Sequence, residues 1–256
     1  LVATGSLTTG HWPRRPLDTS QNQQHKETTL TIGFRVRNRD RVIDQEWIDK
    51  FRELPVANIS DSMHRMYAGG AELRPMHREG KLVGRALTVK APPGDNLMLH
   101  KAMDMAVDGD VIVMDAAGDV THALMGEMML DYAHRRGVVG FVLNGAIRDA
   151  DAFLEMNIPS FAVGVTHRGP YKNGPGEINT PIAIGGMVIM PGDLIVGDAD
   201  GVVVVPIDDA AEVYERTVAK HAAEQKQIEN IKAGTHNPTW FNDALVKAGC
   251  ELPSTN

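Results

Sequence analysis

The residues best suited to chemistry are Arg148 and Asp149, which close the stretch Asn144-Gly-Ala-Ile-Arg-Asp149, with Glu127 lying 21 positions before Arg148. A cation that does not titrate, fixed beside an anion, suits a site that grips an oxyanion and a divalent metal together. Asp149 is a natural oxygen ligand for Mg²⁺ or Mn²⁺, which keep several waters and take few protein carboxylates. Glu127 is suited to orienting one of those waters. Arg148 suits a carboxylate or carbonyl oxygen and the charge of an enolate. A metal that polarises a 2-oxo acid lowers the barrier to breaking the adjacent carbon–carbon bond. The same pair also reads as a helix-starting salt bridge with Asp149 as N-cap, and spacing alone leaves both readings open.

The elements that must position these residues are legible around them. Gly137-Val-Val-Gly-Phe-Val-Leu143 reads as a buried strand ending in a glycine turn, which puts Arg148 and Asp149 at the carboxyl end of that strand. Gly126-Glu127-Met128-Met129 reads as the start of a helix over 127–136, where free amides and the helix dipole favour a carboxylate. Upstream, Trp47, Ile48, Phe51 and Leu54 recur at helical spacing behind Asp44, and a second helix is expected over about 59–67, closed by Gly69-Gly70. A strand over 82–90 follows, then a helix over 97–107 capped by Asp95 or Asn96, and a strand over 111–114. A helix over 149–156 and a strand over 160–165 come next. Residues 166–181 read as a long loop, and a strand-rich block over 182–205 precedes an amphipathic helix over 208–232. Asp108-Gly-Asp-Val-Ile-Val113 and Pro191-Gly-Asp-Leu-Ile-Val196 echo each other as turn-then-strand units, too briefly to make a repeat. Helices alternating with strands, then clustered strands, predict one α/β domain with a mixed sheet core flanked by helices. Its expected bounds are 31–235, with a leader over 1–30 and an extension over 236–256.

Composition excludes several classes. A formal charge of −7 over 256 residues disfavours a nonspecific nucleic-acid binder, and the basic run 35–41 reads as a solvated segment. The single cysteine, Cys250, rules out an intrachain disulfide and a cysteine-based zinc site, and reads as a passive thiol. No run approaches the roughly 20 apolar residues of a membrane span. The first residues lack the pattern of a secretory signal, which points to a cytoplasmic protein. No glycine-rich nucleotide turn follows a strand, so nucleotide cofactors, and a methyltransferase with them, are unsupported. Among weaker candidates, Ser60, Asp61 and His64 share one predicted helix and read as hydrogen-bonding residues at the core edge. His100, His122, His134 and His167 show no metal-ligand spacing. Met125, Met128 and Met129 read as core or pocket wall, and Lys172 with Glu177 as a lid or a subunit contact.

Taken together, Ile59-Ser-Asp-Ser62, Gly84-Arg-Ala-Leu-Thr-Val89, Asp95-Asn96, Gly126-Glu127, Gly145-Ala-Ile-Arg-Asp149, Pro191-Gly-Asp193 and Gly197-Asp-Ala-Asp-Gly-Val-Val-Val-Val-Pro206 resemble the RraA-like family. That family includes the class II 4-hydroxy-4-methyl-2-oxoglutarate aldolases and the regulators of ribonuclease E activity. The resemblance implies a swivelling-domain (phosphohistidine-domain-like) α/β fold, assembled as a trimer or hexamer with sites between subunits. It implies that Asp149 holds the metal, Arg148 clamps a small 2-oxo acid, and Glu127 is the water-orienting acid. The Gly126 loop, through the amides of Met128 and Met129, would receive the pyruvoyl carboxylate. Glu224 is the expected acid from a neighbouring subunit's terminal helix. The implied activity is pyruvate release by retro-aldol cleavage, with oxaloacetate decarboxylation beside it. The alternative is a non-catalytic regulator that binds a ribonuclease or helicase. Two departures bear on this choice. The aldolases carry aspartate where this chain has Glu127, one methylene longer; the regulators carry glycine there and a glutamate where this chain has Ala152.

Overall fold

Apolar runs such as Val111-Ile-Val-Met114 leave no polar face for solvent, so the strands that carry them must be covered on both sides. The computed structural model describes residues 32–236 and 239–253. The predicted leader over 1–30 lies outside the described residues. In chain order the elements are β1 (Phe34–Val36), α1 (Gln45–Arg52), α2 (Val56–Ser62), β2 (Arg74–Pro75), β3 (Leu82–Lys90), α3 (Leu97–Met105), β4 (Asp110–Met125) and α4 (Glu127–Arg135). They continue as β5 (Gly140–Ile147), α5 (Ala150–Met156), β6 (Ser160–Val165), β7 (Gly176–Ile178), β8 (Ile182–Ile184), β9 (Met187–Ile189), β10 (Leu194–Asp198), β11 (Gly201–Val205), α6 (Ala210–Lys232) and α7 (Trp240–Lys247).

One mixed sheet runs β1-β7-β3-β4-β5-β6-β2, and β10, paired with β11, joins the edge of β3 opposite β4. The β3-β4, β4-β5 and β5-β6 pairs are parallel, each linked by a helix. Side chains alternate across these strands. Ile112, Met114, Phe141 and Leu143 face α3, α4 and α5 in one core cluster. Val111, Val113 and Val142 face the other way, against Ile182, Ile184, Met187 and Ile189 of the β8-β9 hairpin. A third cluster packs α1, α2 and the start of α6 on β10 and β11 through Phe51, Ile59, Val196 and Val213. The mixed α/β architecture is the predicted one. Among the described residues no helix is long and apolar enough to cross a membrane.

Several boundaries differ from expectation for identifiable reasons. α2 begins at Val56, because Asp198, 142 residues away, accepts the Val56 N–H at 2.9 Å and caps it. It stops at Ser62, and His64 and Arg65 then turn left-handed. The strand predicted over 111–114 extends from Asp110 to Met125, with irregular register after Asp115. The loop predicted over 166–181 contains β7, which pairs with β1 and β3.

Candidate active site

The register of β4 on β5 builds the site. Met125 pairs with Ile147, the last residues of two adjacent parallel strands, so Gly126-Glu127 and Arg148-Asp149 emerge side by side at one edge of the sheet. The spacing in sequence is the length of the α4 crossover between them. Carboxyl ends of parallel strands are the usual ligand-binding edge of such sheets.

The two turns touch. Asp149 Oδ2 accepts the Glu127 N–H at 3.1 Å, and Arg148 N–H donates to the Met125 carbonyl at 3.0 Å. A Cβ on residue 126 would overlap Asp149 Oδ2 and lie 2.9 Å from Arg148 Cγ, so only glycine permits this approach. Asp149 does occupy the N-cap position of α5, in the left-handed region (φ 56°), but its side chain caps nothing there and serves α4 instead. Its ion pair with Arg148 is loose: Nε lies 3.7 Å from Oδ2, with both side chains almost half exposed. Asp149 Oδ1 has no partner among the described residues, which leaves it open to an external ligand.

Among the described residues, the first turn of α4 has one donor without a partner. Glu127 N–H goes to Asp149, while Met129 and Leu130 N–H both return to the Gly126 carbonyl at 3.1 Å. Of the two amides expected to receive a carboxylate, Met129's is therefore already used, and Met128's has no partner among the described residues. The Glu127 side chain is exposed and carries no ion pair among those residues.

Beside these turns lies a cavity of about 210 Å³ whose wall includes Asn96, His100, Met128, Met129, Arg148 and Lys172. That is below the roughly 300–1,000 Å³ of pockets for drug-sized ligands, and suits a short acid. Asp95 or Asn96 was expected to cap the helix; Asp95 does, its Oδ1 accepting the Leu97 N–H at 2.9 Å, while the Asn96 side chain donates to the Leu124 carbonyl at 2.7 Å. Asn96 Oδ1 is buried without a hydrogen-bond partner among the described residues. His100 and Lys172 reach the wall from α3 and from the loop before β7, and no local spacing marks either as a site residue. Their signal lies in topology: the turn after β3 must open at the same sheet edge as the turns after β4 and β5. Glu177, grouped with Lys172 by sequence, pairs instead with Arg35 at 2.7 Å.

The sequence pattern of the RraA-like (Aldolase/RraA) family matches residues 56–204. The chain belongs to this family. A protein of Halalkalibacterium halodurans provisionally named a 4-hydroxy-4-methyl-2-oxoglutarate aldolase is 43% identical over 180 residues, covering 70% of this chain and 86% of its own. A Pseudomonas syringae pv. tomato structure is similar, with a TM-score of 0.69 at 30% identity over 77% of this chain and 96% of that one. The RNA-processing inhibitor RraA of Thermus thermophilis has a TM-score of 0.56 at 27% identity, over 60% of this chain and 93% of its own.

The resemblance points to Glu224 as an acid supplied from a terminal helix to another copy. Glu224 stands on α6, outside the wall of the Arg148 cavity, and is held by Asn58 Nδ2 at 2.6 Å and Lys220 Nζ at 2.9 Å. The Asn58 hydrogen bond and then Lys220 hold its carboxyl below the ordinary range. Lys220 also reaches Asp61 Oδ2 at 3.2 Å, and its hydrogen bond is the largest cause keeping Asp61 low. His64 lies beyond the end of α2.

Proposed function

We propose that this protein is a divalent-metal-dependent carbon–carbon lyase that cleaves a short 2-oxo acid of the 4-hydroxy-4-methyl-2-oxoglutarate type and releases pyruvate. Oxaloacetate decarboxylation is the accompanying activity. The observation that carries this reading is the contact between the Gly126-Glu127 and Arg148-Asp149 turns, made possible by a glycine and leaving Asp149 Oδ1 open. The name of the H. halodurans relative supports it.

The residues fit a hard cation. No cluster of three histidine, cysteine, aspartate or glutamate side chains among the described residues is arranged to hold a metal, which argues against an all-protein cage. One carboxylate, completed by waters and ligand oxygens, is a sufficient protein contribution for Mg²⁺ or Mn²⁺. Asp149 would hold that ion. When bound, it supplies Lewis-acid polarisation of the 2-oxo group.

The chain's own residues do the rest. The Met128 N–H, at the positive end of α4, receives the carboxylate of the pyruvoyl unit. The Arg148 guanidinium donates to the 2-oxo oxygen and stabilises the negative charge that gathers there as the C3–C4 bond breaks. The 4-hydroxyl proton leaves as the carbonyl of the second product forms, and a proton returned to C3 converts pyruvate enolate to pyruvate. Glu127 orients the water through which that proton travels. Glu224 of a neighbouring copy, in a trimer or hexamer, is the further acid.

The decisive assay is pyruvate release from 4-hydroxy-4-methyl-2-oxoglutarate and from oxaloacetate, with Mg²⁺ and with chelator. Metal-dependent release from both is expected, and Arg148→Ala should lower it on the order of 10²-fold or more. Absence of metal-dependent release from either substrate removes the lyase reading. The likeness to RraA makes a regulator the competing reading. A ribonuclease or helicase complex that forms equally well with Asp149→Ala would support it. Glu127 and Ala152 both argue against that branch.

A further inference from the structure

Residues 37–41 form one wall of a second cavity, of about 420 Å³ against about 210 Å³ for the cavity beside Arg148. The two walls share no residue. Residues 37–41 and 206–208 of the second wall also lie outside the segment 56–204 that matches the family. On one edge of β3, β10 pairs over residues 82–85 and β7 over residues 89–90. Two turns fill the gap between them: the Thr88 carbonyl accepts the Asn179 N–H at 2.9 Å, and the Ala86 carbonyl accepts the Gly192 N–H at 2.8 Å. The cavity lies beside these turns, under the segment that carries Arg37. That segment is held in place, since Arg37 N–H donates to the Ile178 carbonyl at 3.1 Å and Ile43 N–H to the Gly192 carbonyl at 2.9 Å.

Three arginines and three aspartates line this cavity, and two of each are satisfied within the protein. Arg39 meets the two oxygens of Asp110 at 2.6 and 2.8 Å, and Arg41 those of Asp208 at 2.5 and 3.2 Å. Asp193 accepts the Met190 N–H at 2.9 Å and the Ile207 N–H at 3.2 Å. The Arg37 guanidinium and the Asp40 carboxylate remain, exposed and without an ion-pair or hydrogen-bond partner among the described residues. A third open group is buried. Asn179 is 7% exposed; its Nδ2 donates to the Arg37 carbonyl at 2.8 Å, and its Oδ1 has no partner among the described residues. A buried acceptor in this state calls for a donor. The rest of the wall is apolar, with Pro181, Met190, Pro191, Pro206 and Ile207. Prolines have no N–H, and Asp193 holds those of Met190 and Ile207, so this side offers carbon surface rather than amide donors.

We propose that this cavity is a second ligand site, which binds a zwitterionic α-amino acid with an apolar side chain. The ligand carboxylate meets Arg37, whose planar guanidinium suits it. The ligand ammonium donates to Asn179 Oδ1 and Asp40, and the side chain lies on the proline-lined wall, out of water. A plain carboxylate would satisfy Arg37 but face Asp40 and leave Asn179 Oδ1 unmet; a plain amine would leave Arg37 unmet. The zwitterion answers all three open groups at once. The site stands apart from the lyase reading and does not depend on it.

Calorimetric titration of the full chain with L-leucine tests this directly. A saturable one-site isotherm is expected, with Kd of about 1 mM or tighter. 4-Methylpentanoate lacks the ammonium and 3-methylbutylamine lacks the carboxylate. Each should bind about tenfold or more weakly than leucine, the size expected of one charge-assisted hydrogen bond. Arg37→Gln should weaken leucine by a similar factor. Its side chain is exposed and its backbone contacts are kept, so the variant should fold as the wild type does. Arg148→Ala should leave the leucine affinity within about twofold, because the two cavities share no wall. No saturable binding of leucine, methionine or phenylalanine at about 10 mM overturns the site. So does undiminished leucine binding in Arg37→Gln. 4-Methylpentanoate binding as tightly as leucine overturns the zwitterion, and loss of leucine binding in Arg148→Ala places the ligand beside Arg148 and overturns the second site.

Discussion

Two arginine–aspartate pairs in this chain have the same chemistry and opposite fates. Arg39 Nη1 and Nη2 meet the two oxygens of Asp110 at 2.6 and 2.8 Å, with side-chain exposures of 11% and 0%. Asp110 also accepts the Val107 N–H at 3.0 Å, so both of its oxygens are satisfied within the protein. Arg148 and Asp149, adjacent in sequence, meet at 3.7 Å with exposures of 46% and 43%, and Asp149 keeps one oxygen open. The first pair is complete within the protein; the second keeps capacity for a ligand. An arginine next to an aspartate is thus no evidence of a site until its remaining hydrogen-bonding capacity has been counted.

The largest test of this contrast exchanges the roles. Asp149→Asn keeps a residue type that tolerates the left-handed backbone and can still accept the Glu127 N–H, so stability should stay within about 0.5 kcal/mol of wild type. Metal-dependent pyruvate release should be lost, together with Mn²⁺ binding measured directly. Asp110→Ala should do the reverse. It leaves the partly buried Arg39 guanidinium unpaired, a loss of about 3 kcal/mol visible as a lower denaturant midpoint. Comparable stability losses in the two variants would erase the distinction.

A smaller effect tests whether closeness of the turns matters. Gly126→Ala places a methyl group against Asp149 Oδ2 and Arg148 Cγ, so both side chains must shift. They are half exposed and able to move, so the fold should tolerate the change. A displacement of about 1 Å in a catalytic constellation costs on the order of 10²-fold in rate. Unchanged kcat/KM in this variant would separate the glycine from catalysis.

Much of this was legible in the sequence, and the remainder has a common cause. β3 and β6 match their predicted spans because hydrophobic pattern and local turns define them. The two site turns were legible because each closes a strand with a glycine or an Arg-Asp step. The readings that needed revision all depend on distant partners. α2 starts early because Asp198 caps it, and Glu177 meets Arg35 across the sheet. Lys172 and His100 share a cavity wall through an aspartate that binds amides 78 and 79 residues away. Local periodicity carries no information about such partners; sheet register does.

The echo between the turns at 107–110 and 190–193 sharpens the comparison last. Asp193 repeats the Asp110 device: it accepts the N–H three residues before it, from Met190, at 2.9 Å, after a glycine of positive φ. The arginine differs. Arg41, two residues after Arg39, pairs with the exposed Asp208 at 2.5 Å and leaves Asp193 with the amides of Met190 and Ile207. Burial then dominates and raises the Asp193 pKa, against those amides. The sign follows from linkage: a carboxyl whose folded pKa lies above its unfolded value of about 3.9 contributes stability below that value, and the contribution disappears as pH rises through the folded pKa. Asn at this position does not titrate. The stability advantage of wild type over Asp193→Asn should therefore shrink from pH 4 to pH 7, measured by denaturant unfolding at each pH. An advantage that grows with pH would mean that two amides and a nearby arginine suffice to favour the buried anion, and that the bidentate partner of Asp110 is not what separates the two turns.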